Sequence, residues 1–163
     1  MKTKELSQLM EWAVWAHLDS QKNIELVLLK GHLMLEVMVN SALSSHFKQG
    51  SASDLGLSFH KKVELLERFR AKGDPMFSKV KQAIFQVNRI RNRLAHNWQF
   101  ESQEELSTWA ESVLAEFPCE KFTRFTFRTR IVHAFATLAR EVSELHNPSS
   151  VTNELERIEK PTI

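Results

Sequence analysis

Residues 75–96, PMFSKVKQAIFQVNRIRNRLAH, decide the fold. They read as one long helix. Gly73-Asp74-Pro75 stops the preceding helix and starts this one, with Asp as cap and Pro at the first helical position. Ile84, Val87, Leu94 and, beyond the stretch, Trp98 fall on one side. Arg91 stands on the same line, where a helical bundle normally places Leu or Ile. A guanidinium does not lose its proton and costs several kcal/mol to bury unpaired. Either a partner is built for Arg91, or it lines a cleft. Five residues on, His96 carries the side chain type whose unperturbed titration falls between pH 5 and 8. Asn92 precedes His96 by four residues and shares its helix face.

Working outward, the same periodicity predicts an all-α, antiparallel bundle of five to six helices. A first helix spans about Glu5 to Leu18, with Leu6, Leu9, Met10, Ala13 and Val14 inward and Trp12 and Trp15 adding aromatic area. A second, long helix runs from about Asp19 to Phe47, capped by Asp19 or Ser20. Its inward stripe is expected to be Leu26, Leu29, Leu33 and Val37, continuing to Leu43 and Phe47. Glu36 and Asn40 interrupt that apolar surface, and His32 lies four residues before Glu36. Gly31 costs about 1 kcal/mol relative to Ala inside a helix, so it is expected at a close helix crossing. A loop over residues 49–58 leads to a third helix from Ser58 to about Ala71, with Phe59, Val63, Leu66 and Phe69 inward. A fifth helix covers about 101–116, with Ser102 as cap and Glu105 three residues on. A sixth covers about 123–146, although a short strand over Thr123 to Arg130 competes there. The helical domain is expected to span 1–146. A polar tail of 147–163 follows, with a short helix around Thr152 to Ile158.

Composition narrows the function classes. A chain of 163 residues with four Gly and four Pro reads as one ordered domain. A net charge of +2 is no polycation, so any nucleic-acid contact has to come from a local patch. The lone Cys119 permits no disulfide within the chain. The N-terminus has no signal-peptide core, and the apolar stretch Leu33 to Val39 is broken by Glu36. A soluble, cytoplasmic protein without a membrane span is expected. The histidines are dispersed, and no phosphate loop, nucleophile elbow or dinucleotide fingerprint is present, so neither a metal nor a cofactor is expected.

Arg91-Asn92-Arg93-Leu94-Ala95-His96 resembles the signature of the HEPN superfamily: Arg, a polar residue, three more residues, then His near a helix end. Many HEPN proteins are metal-independent ribonucleases of toxin–antitoxin, phage-defence and CRISPR systems, and others lack catalysis. The resemblance implies a HEPN-like bundle acting on RNA as a homodimer, with an antitoxin or other regulatory protein as a further partner. It implies His96 as the proton-transfer group, Arg91 as the phosphate ligand, and Asn92 as the residue that positions the phosphate or His96. An ideal helix sets Arg91 and His96 about 140° apart, and a second copy of the motif across one cleft would complete the site. The alternatives are a non-catalytic HEPN-like interaction or regulatory protein and a nucleotide-sensing module.

Two further groups of residues bear on that choice. Glu36 either forms a buried ion pair with Arg91 or orients it from behind at a cleft floor. Lys79, Lys81, Arg89 and Arg93 flank the motif, while Arg124, Arg128 and Arg130 interleave with Phe122, Phe125 and Phe127. Cations among aromatics suit single-stranded RNA, with Arg89, Arg93, Arg124 and Arg128 as the leading contacts. The competing description makes the Phe residues core and the Arg residues a solvated face. One branch of the family carries Tyr two residues after the motif His and is silenced by attaching AMP to it. Here that position is Trp98, and the chain has no Tyr. Trp98 is expected to cover Arg91 by cation–π contact.

Overall fold

A computed structural model describes residues 3–119 and 126–147. Six α-helices follow one another: α1 (Thr3–Asp19), α2 (Ile24–Ser44), α3 (Phe59–Glu67), α4 (Pro75–His96), α5 (Gln103–Glu116) and α6 (Phe127–Ser143). The described residues include no strand. Thr126 caps α6 by accepting from the Thr129 N–H at 3.2 Å, so the helix is already under way where a strand competed. The residues expected to alternate before it, with Arg124 among them, lie outside the described residues. So does the helix expected around Thr152 to Ile158.

The axis of the bundle is α6. From Ile131 to Leu138 it is buried nearly all round, which is the pattern of a helix enclosed by others. α1 lies antiparallel to it, as Asp19–Arg128, Glu11–Arg140 and Ser7–Glu144 contacts run in opposite chain directions. α2 runs parallel to it, with Gly31 against Phe135 and Ser41 against His146. α5 brings Trp109 to the same Phe135, ring centroids 4.9 Å apart. The Trp109 Nε1–H also donates to the Ala83 carbonyl of α4 at 2.9 Å, which ties α4 to this centre. Gly31 sits as its helix-breaking cost suggested. A Cβ there would fall 2.7 Å from the Phe135 ring, so only a bare backbone allows the crossing.

That crossing explains the largest departure from the sequence pattern. Leu26, Leu29, Leu33 and Val37, expected inward on α2, are 43%, 37%, 59% and 59% exposed. The buried face is Val27, Leu28, Gly31, His32, Leu35, Met38, Val39, Ala42 and Leu43. α2 is apolar on both sides, and the side with glycine wins because it alone lets α6 approach. α2 also starts later than expected. Its cap is Asn23, whose Oδ1 accepts from the Glu25 N–H at 2.8 Å, while Asp19 closes α1. By length and composition α2 is the one described helix apolar enough to cross a membrane. Lys30 and Glu36 interrupt the apolar run of this helix but only dilute its average. Half of that stretch is buried in the bundle.

Smaller shifts follow the same logic. Leu9 of α1 is 48% exposed, since Ser7, Val14 and Leu18 are the positions that meet the core. α3 ends at Glu67, and Phe69 stays near the surface, its ring stacked on His46 at 4.7 Å. Ser102 occupies the cap position of α5 without a side-chain cap bond, and the Glu105 carboxylate pairs with Arg93 and not with the start of its own helix.

Candidate functional site

α4 begins and ends in contrasting ways. Asp74 Oδ1 accepts from the Met76 and Phe77 N–H groups at 3.0 and 3.3 Å, and Pro75 follows as expected. Phe77, Val80, Ala83, Ile84, Val87 and Ile90 are then buried in sequence. Ile90 is the last. The apolar line continues in the sequence, but the core does not reach as far: Arg91 and Leu94 are half-buried, and Trp98 lies beyond the helix, 92% exposed. Among the described residues no ring covers the Arg91 guanidinium, so the expected Trp98 contact does not form. Leu94 is the last side chain of that line to pack, in part, against the core.

Arg91 Nη1 donates to Asn92 Oδ1 at 3.1 Å. That bond bears on the angular gap between Arg91 and His96. Asn92 lies one residue from Arg91 and one turn below His96, so it links the guanidinium to the histidine face. Arg91 makes no ion pair within 4.0 Å among the described residues, and neither does Glu36. The buried ion pair between them, one of the two expected arrangements, is absent. Both charges converge instead on His32. This histidine is buried on α2, its Nε2 is 2.9 Å from Asn88 Oδ1, and its ring meets Phe59 edge-on at 4.9 Å. Burial pushes the His32 pKa down, the Asn88 bond pushes it up, Arg91 lowers it and Glu36 raises it. His32 is therefore neutral near pH 7.

The outer face of α4 forms one wall of an open groove of about 410 Å³. Asn88, Asn92 and His96 recur every four residues along it, with Phe85 and Asn97 at its ends and His60 of α3 opposite. The flanking cations are less available than the sequence suggested. Arg93 pairs with Glu105, and Arg89 approaches the same carboxylate at 4.0 Å. Lys79 pairs with Glu116, and Lys81 with Glu67 at 2.6 Å. Arg130 pairs with Glu111 at 2.8 Å. Arg128 is committed elsewhere: it donates to the Asp19 carbonyl and carboxylate and to the Gln21 carbonyl, sealing the α1–α2 turn.

The structure thus places Asn92 and His96 on the groove and bonds Arg91, which does not line it, to Asn92; Glu36 acts on His32 behind, and Arg128 lies far along the fold. Asn88, His32 and the His60–Phe85 pair were not singled out from sequence. Asn88 carried a signal, since it continues the four-residue spacing of Asn92 and His96. No family model, curated protein or solved structure matches this chain.

Proposed function

We propose that this protein is a HEPN-like, metal-independent endoribonuclease of the cytoplasm, acting in a toxin–antitoxin or antiviral setting. The observation that carries the proposal is a half-buried guanidinium, Arg91, which has no carboxylate partner among the described residues and is bonded instead to Asn92 on the His96 face. Such a cation is available for a phosphate. RNA supplies its own nucleophile, the 2′-hydroxyl beside the scissile phosphate. As its oxygen bonds to phosphorus, the proton must leave and the bond to the 5′-oxygen must break, with a proton delivered there. His96 moves the protons, Arg91 holds the charge that builds on the phosphoryl oxygens, and Asn92 fixes the phosphate. The products are a 2′,3′-cyclic phosphate and a 5′-hydroxyl.

One His96 cannot be base and acid at the same instant, which favours two copies at one cleft. The exposed Leu26, Leu29, Leu33 and Val37 of α2 suit that arrangement. Their spacing of three, four and four residues makes a narrow seam of the coiled-coil kind, which a second α2 would cover. Glu36 lies on the same helix between this seam and His32, so the seam adjoins the Arg91 cluster. The neutralised cations around α4 favour a second reading, a non-catalytic interaction protein in which Arg91 and His96 are structural. Control by an antitoxin or another bound partner fits either reading, since Trp98 offers no hydroxyl for nucleotide attachment.

The test is direct. Purified protein should cleave RNA in EDTA and leave cyclic phosphate ends. His96→Ala and Arg91→Ala should each lose at least about a hundredfold in rate while remaining folded. Leu33→Asp should halve the mass in solution and remove cleavage with it. A requirement for a divalent metal, or activity that survives both substitutions, would overturn the assignment.

A further inference from the structure

The groove beside the motif carries chemistry that phosphoryl transfer does not use. At its lower end the Phe85 and His60 rings stack, centroids 4.0 Å apart and planes within 15°, across the seam between α4 and α3. His60 Nε2 is 3.2 Å from Glu64 Oε1, which fixes the plane of the imidazole. The His60 side chain is 47% exposed, so this aromatic wall meets solvent. Buried ring pairs are ordinary core. A stacked pair standing at the mouth of a groove presents a π-face to whatever enters.

One turn above stands Asn88, and its orientation is set from behind. His32 is neutral and buried, and its Nε2 faces Asn88 Oδ1, so that nitrogen carries the hydrogen and donates. The amide oxygen is thereby occupied. The amide nitrogen makes no hydrogen bond to the described residues and is not sealed from solvent. Asn88 therefore offers a donor to the groove, held in place by a residue that no ligand touches. Asn92 and His96 follow at about 6 and 12 Å along the helix axis. Aromatic wall, oriented donor, Asn92 and the proton-transfer group thus succeed one another along a single helix face, with Arg91 bonded to Asn92 from the adjoining face.

We propose that this groove seats the base of the nucleotide adjoining the scissile phosphate, stacked against the Phe85–His60 wall with a ring carbonyl accepting from Asn88. The proposal rests on the ribonuclease reading for its orientation, base below and phosphate above. The volume of about 410 Å³ is that of a site for one small ligand, not a duplex. Lys81 stands 5.7 Å from the Phe85 centroid and Arg89 lines the groove, each also facing a carboxylate, Glu67 and Glu105. His32 is then a positioning residue, acting only through Asn88.

Binding is measured with a non-cleavable ligand, a 2′-O-methyl uridine trinucleotide labelled for fluorescence anisotropy, and with the same trinucleotide carrying an abasic central residue. Cleavage of unmodified RNA is assayed in parallel. Phe85→Leu, His60→Ala and Asn88→Ala should each weaken the uridine ligand by about tenfold, the scale of one lost base stack. None of them should change the affinity for the abasic ligand, because the group they contact is gone. His32→Leu should reproduce the Asn88→Ala loss. His60→Ala keeps the test open if Phe85→Leu fails to fold. Equal affinity of wild type for the uridine and abasic ligands, or no binding at all, overturns the base seat. If base-dependent binding persists while no RNA is cleaved, the ribonuclease reading fails and the seat stands. If cleavage depends on His96 but not on these variants, the seat fails alone.

Discussion

The surroundings of Phe135 and the end of α4 carry the same kind of sequence and end in opposite structures. Around Phe135 every approach is closed: Gly31 lies beneath the ring, Trp109 beside it, and the indole N–H is spent on the Ala83 carbonyl. At the end of α4 the apolar line runs on through Leu94, which packs only in part against the core, while Arg91 is half-buried and Asn92 and His96 are exposed. The lesson is that periodicity specifies which side of a helix faces inward and not how far the core extends. Where the pattern outlasts its partners, side chains are left to do something other than pack. A polar residue on such a line is a better pointer to a site than one on a solvated face.

That contrast breaks most severely at its closed end. Phe135→Ala should cost about 3–5 kcal/mol in chemical denaturation, since it empties the space between α2, α5 and α6. Gly31→Ala should cost about 1–3 kcal/mol by overpacking the same contact. Because both act on one interface, the pair should be non-additive, with Gly31→Ala far milder in a Phe135→Leu background. Independent effects would mean that α2 does not cross α6 at Gly31.

An effect of middle size comes from the boundary between the two regions, where His32 is buried behind the groove. Its pKa lies below the ordinary 6.5, with burial as the leading cause. The unfolded chain therefore binds the proton more readily than the folded one, and stability contributed by neutral His32 is complete above about pH 6.5. It is lost as the pH falls from there towards the depressed folded pKa, by at most about 1.4 kcal/mol per pH unit. Denaturation of wild type and His32→Leu between pH 7.5 and 5 should show a steeper acid loss in wild type. Parallel curves would place His32 in solvent contact and remove the fixed donor at Asn88.

Much of this was legible in the sequence. Six helices, the Asp74-Pro75 start of α4 and the role of Gly31 all follow from periodicity and local chemistry. The facing of α2 did not, because a helix apolar on both sides is oriented by its neighbour, and Phe135 is over a hundred residues away. Arg128 read as an RNA contact because its partner, the Asp19 end of α1, is equally remote. Within the site, Asn92 and His96 share one helix and one face and could be read directly. His60 and Phe85 come from two helices and His32 from a third, so only the assembled bundle sets the two rings in one groove with His32 behind it.

The smallest expected effect is the one that separates a cleft from a core. Were Arg91 buried against Glu36, removing it would strand a carboxylate and cost about 3–5 kcal/mol. The two make no ion pair within 4.0 Å, and among the described residues the only side-chain bond Arg91 forms is to Asn92. Arg91→Ala should therefore cost about 1 kcal/mol or less, in the range of a solvent-facing hydrogen bond. Glu36→Gln should cost less again, since its influence reaches His32 only through space. The double variant should equal the sum of the singles within about 0.5 kcal/mol. Thermal and chemical melts of all three would check this alongside the cleavage assay. A large loss for Arg91→Ala, rescued by Glu36→Gln, would show that the end of α4 is a second core after all, and that its guanidinium serves the fold before it serves any phosphate.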